Sequence, residues 1–377
     1  IGAWLLYELA LRRLDTLLTP RERQQIWQSE PLRQLTRPLA LSLAAAYLFA
    51  PQLQSALLTE FHAAPLAVPF VLWAFGAIDA ERPWQMASAI VLVALVKEEM
   101  ALLAAGLALW GCWRFYLAQW RAEQIHAVQP VLATAAAQLP PRLKRSVRLT
   151  RNMGLSLVLS ALALLWFYVA TFLIVPAHAA QVYASDQSVY FERYGALGDS
   201  PLDIAKSFVT QPSVLWQLAS EPARLQYLWQ LLVPFGLLSL LAPEILLLAL
   251  PLLLANLLSA YPAQYYGDFH YSAPLIPYVA VSAVYGLARL WRWIGRRTNA
   301  HSANYQHMAA ASTTVMAFTS FFTNARTALR PLITLFLALW ILTWAVIGYL
   351  ALGRGPWGGH YDPPSTSTVA HTHQRLL

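Results

Sequence analysis

The stretch Val93-Ala94-Leu95-Val96-Lys97-Glu98-Glu99-Met100-Ala101-Leu102 places three consecutive charged residues inside a long apolar region that runs from Trp84 to Cys112. Ionisable side chains cost roughly 2.5–3.5 kcal/mol each at the centre of a membrane helix, and those that occur usually face protein or water. Two interpretations remain. The triplet is either a charge cluster at a helix end, with an internal Lys–Glu pair, or part of a polar site on one face of the membrane. If the flanking apolar segments are separate helices, the triplet lies at the water boundary and most of the cost disappears.

The composition indicates a membrane protein with many helices. Hydrophobic residues make up 58% and charged residues 12% of the chain, against about 50% and 25% in soluble proteins. At roughly 20 residues per crossing, the apolar segments predict an all-α, polytopic bundle of about eight or nine transmembrane helices. The single Cys112 excludes an intrachain disulfide. The net charge of +8 lies in short loops between apolar segments, where it orients helices, so nucleic-acid binding is not indicated.

The apolar segments alternate with polar connections, and they predict the spans 38–58, 65–78, 84–96, 100–116, 153–175, 228–241, 244–258, 271–290 and 332–352. Residues 228–241 and 244–258 are expected to form a helical hairpin. The longest polar connection, 176–226, is too long for a plain turn, and such loops are often functional. Residues 292–330 are expected to be a basic cytoplasmic connection, 331–353 a final transmembrane helix and 354–377 a disordered tail. Because the chain begins with an apolar run headed by Ile1, we expect an N-terminally incomplete copy of the protein.

The basic residues predict the orientation of the bundle. If residues 12–37 are cytoplasmic and the segments alternate, the inner connections hold 20 of the 26 Lys and Arg residues, as the positive-inside rule requires. The same alternation brings Glu60 and His62, the triplet at Lys97, the 176–226 loop and the segment around His270 to the outer face. This convergence favours a site over incidental charges. If residues 98 and 144 were labelled from the same side of the membrane, the orientation would be wrong.

Several of these groups can carry chemistry. Glu60, Glu98 and Glu99 are candidate general bases, although Glu98 and Glu99 would point about 100° apart on a continuous helix, and an acidic helix N-terminus is the alternative. Lys97 can bind an anion. Candidate substrate-binding residues are His62, Lys97, Arg193, Tyr194, His270 and Tyr271. For Glu60 and His62 the alternative is an interfacial loop, for Arg193 and Tyr194 a helix on the membrane surface, and for the tyrosines an interfacial aromatic belt.

The order of short motifs resembles the DUF2079 family of predicted bacterial membrane proteins. The matching pieces are Glu60-Phe61-His62, Val96-Lys97-Glu98-Glu99, Tyr190-Phe191-Glu192-Arg193-Tyr194-Gly195 with Gly198, residues 231–234, 242–244 and 251–256, and His270-Tyr271-Ser272-Ala273-Pro274. They define a domain over residues 1–291. The family more often has Asp where Glu60 and Glu99 stand.

The resemblance implies membership of the GT-C superfamily, whose enzymes take sugars from polyprenyl-phosphate carriers on the outer face of the inner membrane. It implies a GT-C-like bundle, a polyprenyl-phosphate sugar and membrane lipids as partners, and a catalytic acid in a first outer loop, which is expected to precede Ile1. No cofactor is assigned, and a divalent cation is left open. Two other functions remain open: a transporter or lipid flippase that uses the triplet as its site, and a non-catalytic membrane assembly subunit. No Walker, Rossmann, HExxH or GxSxG pattern is present, which gives soluble-type nucleotide binding no support.

Overall fold

The computed structural model describes residues 1–15, 30–58, 62–133, 149–178, 192–198, 201–309 and 313–361. All regular secondary structure in these residues is helical, which confirms the all-α class. The α-helices are α1 (Gly2–Asp15), α2 (Glu30–Phe49), α3 (Pro51–Leu58), α4 (Ala67–Asp79), α5 (Pro83–Val96), α6 (Met100–Ala133), α7 (Arg151–Tyr168), α8 (Pro201–Thr210), α9 (Pro212–Ala219), α10 (Pro222–Leu232), α11 (Pro243–Leu246), α12 (Leu250–Leu257), α13 (Ile276–Ala309) and α14 (Thr313–Leu352).

Shorter helical turns interrupt or extend these helices. A π-helical turn follows α7, and the remaining turns are of the 3-10 type. Their bounds are Val169–Ile174 for the π turn, then Ala64–Leu66, Val233–Phe235, Leu238–Leu241, Leu247–Ala249, Pro262–Gln264 and His270–Leu275 for the 3-10 turns.

Four helical segments of the described chain are long and apolar enough to cross a membrane. They are Met100–Glu123, Arg151–His178, His270–Ile294 and Pro331–Leu352, and the bent pair Leu35–Phe49 and Pro51–Leu58 makes a fifth if it is one span. Three further apolar helices of 10–17 residues are Ala64–Asp79, Pro83–Val96 and Pro243–Leu257. These helices fit the predicted membrane bundle.

The segment His270–Ile294 is the central helix of the bundle, because 89% of its most apolar 18-residue stretch is buried inside the protein. Small residues allow its close packing. Ser282 Oγ donates hydrogen bonds to the carbonyls of Ser239 (2.7 Å) and Ala242 (2.8 Å). A Cβ on Gly286 would lie 2.0 Å from the Leu238 carbonyl oxygen, so only glycine permits the observed approach of the 238–241 turn.

Two predicted spans are broken, which corrects the sequence interpretation. Residues 38–58 were expected to form one helix, but α2 begins at Glu30, and α2 and α3 meet at a 42° bend. Pro51 supplies a physical reason, since proline lacks an amide hydrogen and is favoured at the first position of a helix, where α3 begins.

The other broken span is 228–241, the first half of the expected hairpin. Helix α10 ends at Leu232, and Gly236 (φ 61°) and Leu237 (φ 60°) adopt left-handed conformations that no α-helix contains. The indole Nε1 of Trp340 donates to the Gly236 carbonyl (3.0 Å), so α14 stabilises the break.

The predicted connection 292–330 and the predicted tail 354–377 differ in form from the expectation. The connection 292–330 lies largely within two helices, since α13 ends at Ala309 and α14 begins at Thr313. Residues 354–361, expected to be disordered, form turns beside α3, where the Arg354 amide donates to Gln54 Oε1 (3.0 Å). Residues 362–377 lie outside the described part of the chain.

A charged cluster joins α1, α4 and α6 at the end of α4 that is remote from His62. Asp79, only 5% exposed, pairs with Arg13 and with Arg114 (3.5 Å). Arg13 also donates to the hydroxyl of Tyr285 on α13. Four helices therefore meet around one carboxylate, which fixes their relative positions.

Candidate functional site

The triplet at Lys97 forms the break between α5 and α6. Lys97 has an extended backbone (φ −161°, ψ 153°) and ends α5. The amides of Met100 and Ala101 donate to the carbonyls of Lys97 (3.0 Å) and Glu98 (3.3 Å), and this tight turn starts α6. The flanking segments are thus separate helices, and because the triplet is not helical, both Glu98 and Glu99 reach the same cavity.

Lys97 and Glu99 form an ion pair with a distance of 3.1 Å between Nζ and Oε1. Burial alone would lower the pKa of Lys97, but attraction to Glu99 and Glu98 outweighs it, so the pKa is raised above its ordinary value. Lys97 is therefore a permanent cation at neutral pH, held between two carboxylates.

Two imidazoles from distant parts of the chain stack beside this turn. The ring centroids of His62 and His270 lie 3.4 Å apart with an angle of 23° between the planes. The Tyr271 ring lies 4.1 Å from that of His270. The turn Ala64–Leu66 follows His62, and the turn His270–Leu275 begins with His270. These two turns pack against each other. Glu60 lies outside the described residues.

Arg193 and Tyr194 belong to a short described segment, 192–198, that is attached to α12 and the loop after it. The Arg193 carbonyl accepts from the Ala260 amide (2.7 Å), and its guanidinium lies 4.7 Å from the Tyr261 ring centroid. The Tyr194 hydroxyl donates to the Ala255 carbonyl (3.0 Å). Burial raises the pKa of Tyr194, although a hydrogen bond from Gln264 acts in the opposite direction.

These segments enclose one cavity of about 370 Å³. Every predicted site residue that the structure describes lines it, namely His62, Lys97, Glu98, Glu99, Arg193, Tyr194, His270 and Tyr271. We call this space the polar cavity. It combines two cations, two carboxylates and two imidazoles, a set that can bind an anion and also accept a proton.

Three polar residues that sequence reasoning did not select also line the polar cavity: Thr171, Asn256 and Gln264. Asn256 is fully buried, and its Nδ2 donates to the Tyr227 hydroxyl (3.0 Å) and the Tyr271 carbonyl (3.2 Å). A signal existed for two of them. Asn256 is the only polar residue in the apolar run 250–258, and isolated polar residues in such runs tend to be functional. Gln264 lies between Tyr261 and the adjacent Tyr265 and Tyr266, in a tyrosine-rich connection.

An apolar groove of about 320 Å³ adjoins the polar cavity. Tyr194, Pro251 and Ala255 line both spaces. The other walls of the apolar groove are Leu197, Ile204, Phe208, Leu254 and Leu258. A polar compartment beside a hydrocarbon-lined one suits a ligand with a charged head and an apolar chain.

Within the described residues, no group of three or more His, Cys, Asp and Glu side chains is arranged to hold a metal ion.

Comparison with known proteins places the chain in a family. The family model described as predicted membrane protein, DUF2079, matches residues 1–343. The chain belongs to the DUF2079 family. No curated protein and no solved structure matches it. In this DUF2079 protein the matched region contains every segment that lines the polar cavity, as well as the central helix.

Proposed function

We propose that this DUF2079 protein is an integral-membrane glycosyltransferase of the GT-C type, which takes a sugar from a polyprenyl-phosphate carrier on the outer face of a bacterial inner membrane. The observation that supports the proposal is the wall that the polar cavity and the apolar groove share, formed by Tyr194, Pro251 and Ala255. A lipid phosphate fits the cations, while the first isoprene units of its chain fit the groove.

The phosphate subsite is formed by Lys97 and Arg193, with the stacked His62 and His270 beside them. In the transfer step, the bond between the anomeric carbon and the phosphate oxygen breaks, and its electron pair leaves with polyprenyl phosphate. Lys97 and Arg193 stabilise the negative charge that develops there, an effect that preorganised charges supply efficiently in a site removed from bulk water.

A carboxylate completes the step by taking the proton from the acceptor hydroxyl as its oxygen bonds to the anomeric carbon. Glu99 is engaged by Lys97, so the proposal assigns this role to Glu98, and Glu99 holds Lys97 in position. Glu60, the remaining candidate base, belongs to the segment next to His62 in the sequence.

The test is sugar transfer by the full-length protein in proteoliposomes, from a radiolabelled polyprenyl-phosphate hexose or pentose to a hydroxyl-bearing acceptor. Glu98→Gln is expected to lower the rate about 10²–10⁴-fold, the usual contribution of a general base. Lys97→Ala and His270→Ala are expected to lower it as well. Glu81→Gln, an exposed carboxylate at the far end of α4, is the control and is expected to leave the rate unchanged. Equal rates in all variants would remove these residues from the mechanism.

A transporter or lipid flippase is the second candidate, and one observation favours it. The charged turn at Lys97 separates two apolar helices, α5 and α6. Transporters often have their binding sites at such breaks between helices. The same proteoliposomes separate the two functions. Movement of the labelled lipid between leaflets without a covalent product would favour the transporter and contradict the enzyme.

A further inference from the structure

The polar cavity has a second chemical character that the phosphate-binding residues do not explain. Three oxygen acceptors of cavity-lining side chains are buried and have no hydrogen-bond partner: Thr171 Oγ1, Asn256 Oδ1 and Gln264 Oε1. Within the described residues, nine buried side-chain nitrogen or oxygen atoms lack a partner. A third of them therefore belong to residues around this one cavity.

An unpaired buried acceptor is unfavourable, because the group has lost its hydration without gaining a protein donor. The donor side of Asn256 is already engaged. Its Nδ2 donates to the Tyr227 hydroxyl and to the Tyr271 carbonyl. The Asn256 carboxamide is therefore oriented with its oxygen left over, and a hydrogen-bond donor would satisfy this oxygen as well as Thr171 Oγ1 and Gln264 Oε1.

The position of Thr171 is a second, independent observation. It lies in the π-helical turn Val169–Ile174, which interrupts the long helix between Arg151 and His178. Single π turns are rare and occur frequently at functional sites. Phe167 and Val175, on either side of this turn, also line the polar cavity, so the irregular turn faces the ligand space.

We infer that Thr171, Asn256 and Gln264 form a recognition wall that accepts hydrogen bonds from the hydroxyl groups of a polyhydroxylated ligand, in the same cavity as the cations that hold its phosphate. The inference rests on the proposed function and extends it, because it assigns sugar selectivity to residues distinct from those that bind phosphate and perform the transfer. The three oxygens are enclosed in this structure, so recognition requires each of them to turn toward the bound ligand.

The test compares two lipids on the full-length protein in nanodiscs: a polyprenyl monophosphate and the same lipid carrying a hexose on its phosphate. The wild type is expected to bind both and to prefer the hexose-bearing lipid. Thr171→Val, which is nearly isosteric, and Gln264→Met are each expected to reduce that preference about two- to tenfold, as the loss of one hydrogen bond implies. Their affinity for the plain phosphate lipid is expected to stay the same.

The chain offers a matched control for the removal of a hydroxyl. Thr334 Oγ1 is also buried and without a partner, but it lies on α14 and does not line the polar cavity. Thr334→Val is therefore expected to leave the preference unchanged. An unchanged preference in Thr171→Val and Gln264→Met would overturn the recognition wall and leave the proposed function intact. Failure of the wild type to bind either lipid would overturn both.

Discussion

Lys97 is the residue on which the electrostatics of the polar cavity depend. It is the point where α5 ends, and it is held between Glu98 and Glu99 at the entrance to α6. Since its pKa is raised above the ordinary value of 10.5, the ion pair with Glu99 stabilises the fold at neutral and mildly alkaline pH. That contribution is lost only as the pH rises through the raised value.

The first prediction follows from this charge. Lys97→Met is expected to weaken polyprenyl-phosphate binding about 10- to 150-fold, the loss of a hydrogen bond between charged groups, whereas Lys97→Arg is expected to retain most of the affinity. Lys97 itself is expected to add no pH dependence to binding between pH about 7 and about 9, because a lysine with a raised pKa remains charged throughout. Titration of the lipid onto protein in nanodiscs measures both effects. Equal affinity in Lys97→Met would contradict the assignment.

Asp79, at the end of α4 remote from the polar cavity, is the residue on which the second charged cluster depends. Removing one partner of a buried ion pair typically costs about 3–5 kcal/mol, because the other charges stay behind uncompensated. Asp79→Asn would leave Arg13 and Arg114 adjacent, both 16% exposed. We therefore expect a large fall in thermal stability in detergent, while the exposed control Glu81→Gln retains the wild-type melting temperature. A wild-type melting temperature in Asp79→Asn would show that the cluster does not hold the helices together.

At the scale of secondary-structure elements, breaks in helices create the site. The turn between α5 and α6, the π turn after α7 and the 3-10 turn His270–Leu275 each direct side chains into the polar cavity. Other breaks, at Pro51 and Gly236, do not line the polar cavity, and the central helix gains its close packing from small residues. The positions at which helices break are therefore as informative about function as the apolar spans.

The close approach of the central helix to the 238–241 turn leads to a prediction about one glycine. Gly286→Ala would place a Cβ 2.0 Å from the Leu238 carbonyl oxygen, so the turn must move, and overpacking of this kind costs about 1–3 kcal/mol. Gly154→Ala on α7 is the control, since a Cβ there meets no atom within 4 Å and alanine favours the helix. Thermal unfolding is expected to show a lower melting temperature for Gly286→Ala and an equal or higher one for Gly154→Ala. The same melting temperature in both variants would contradict the close packing.

Part of this architecture could be predicted from the sequence, and the reason is physical. The triplet at Lys97 and the two histidines interrupt apolar runs. The distribution of Lys and Arg between alternating connections is enough to predict that these residues share one face of the membrane. The bends at Pro51 and Gly236 could not be located in the same way, because proline and glycine also occur inside unbroken membrane helices. Thr171 was equally hidden, since its role depends on a π turn that has no sequence signature in this chain.

At the scale of the whole molecule, sequence-distant segments of a DUF2079 protein meet in a single cavity at one end of the bundle, and a buried charge cluster fastens the other end of α4. The positive-inside distribution assigns the polar cavity to the outer face of the membrane. This orientation is a prediction, and it decides which leaflet supplies the lipid.

One labelling experiment tests the orientation and the binding site together. In a Cys112→Ser background, Glu98→Cys is treated with a membrane-impermeant maleimide in intact cells, with and without added polyprenyl phosphate, and Lys144→Cys serves as the comparison. We expect Cys at position 98 to react from outside and polyprenyl phosphate to slow that reaction, while position 144 reacts only after permeabilisation. Labelling of both positions from the same side, or a rate at position 98 that the lipid leaves unchanged, would contradict an outward-facing cavity that binds a prenyl phosphate.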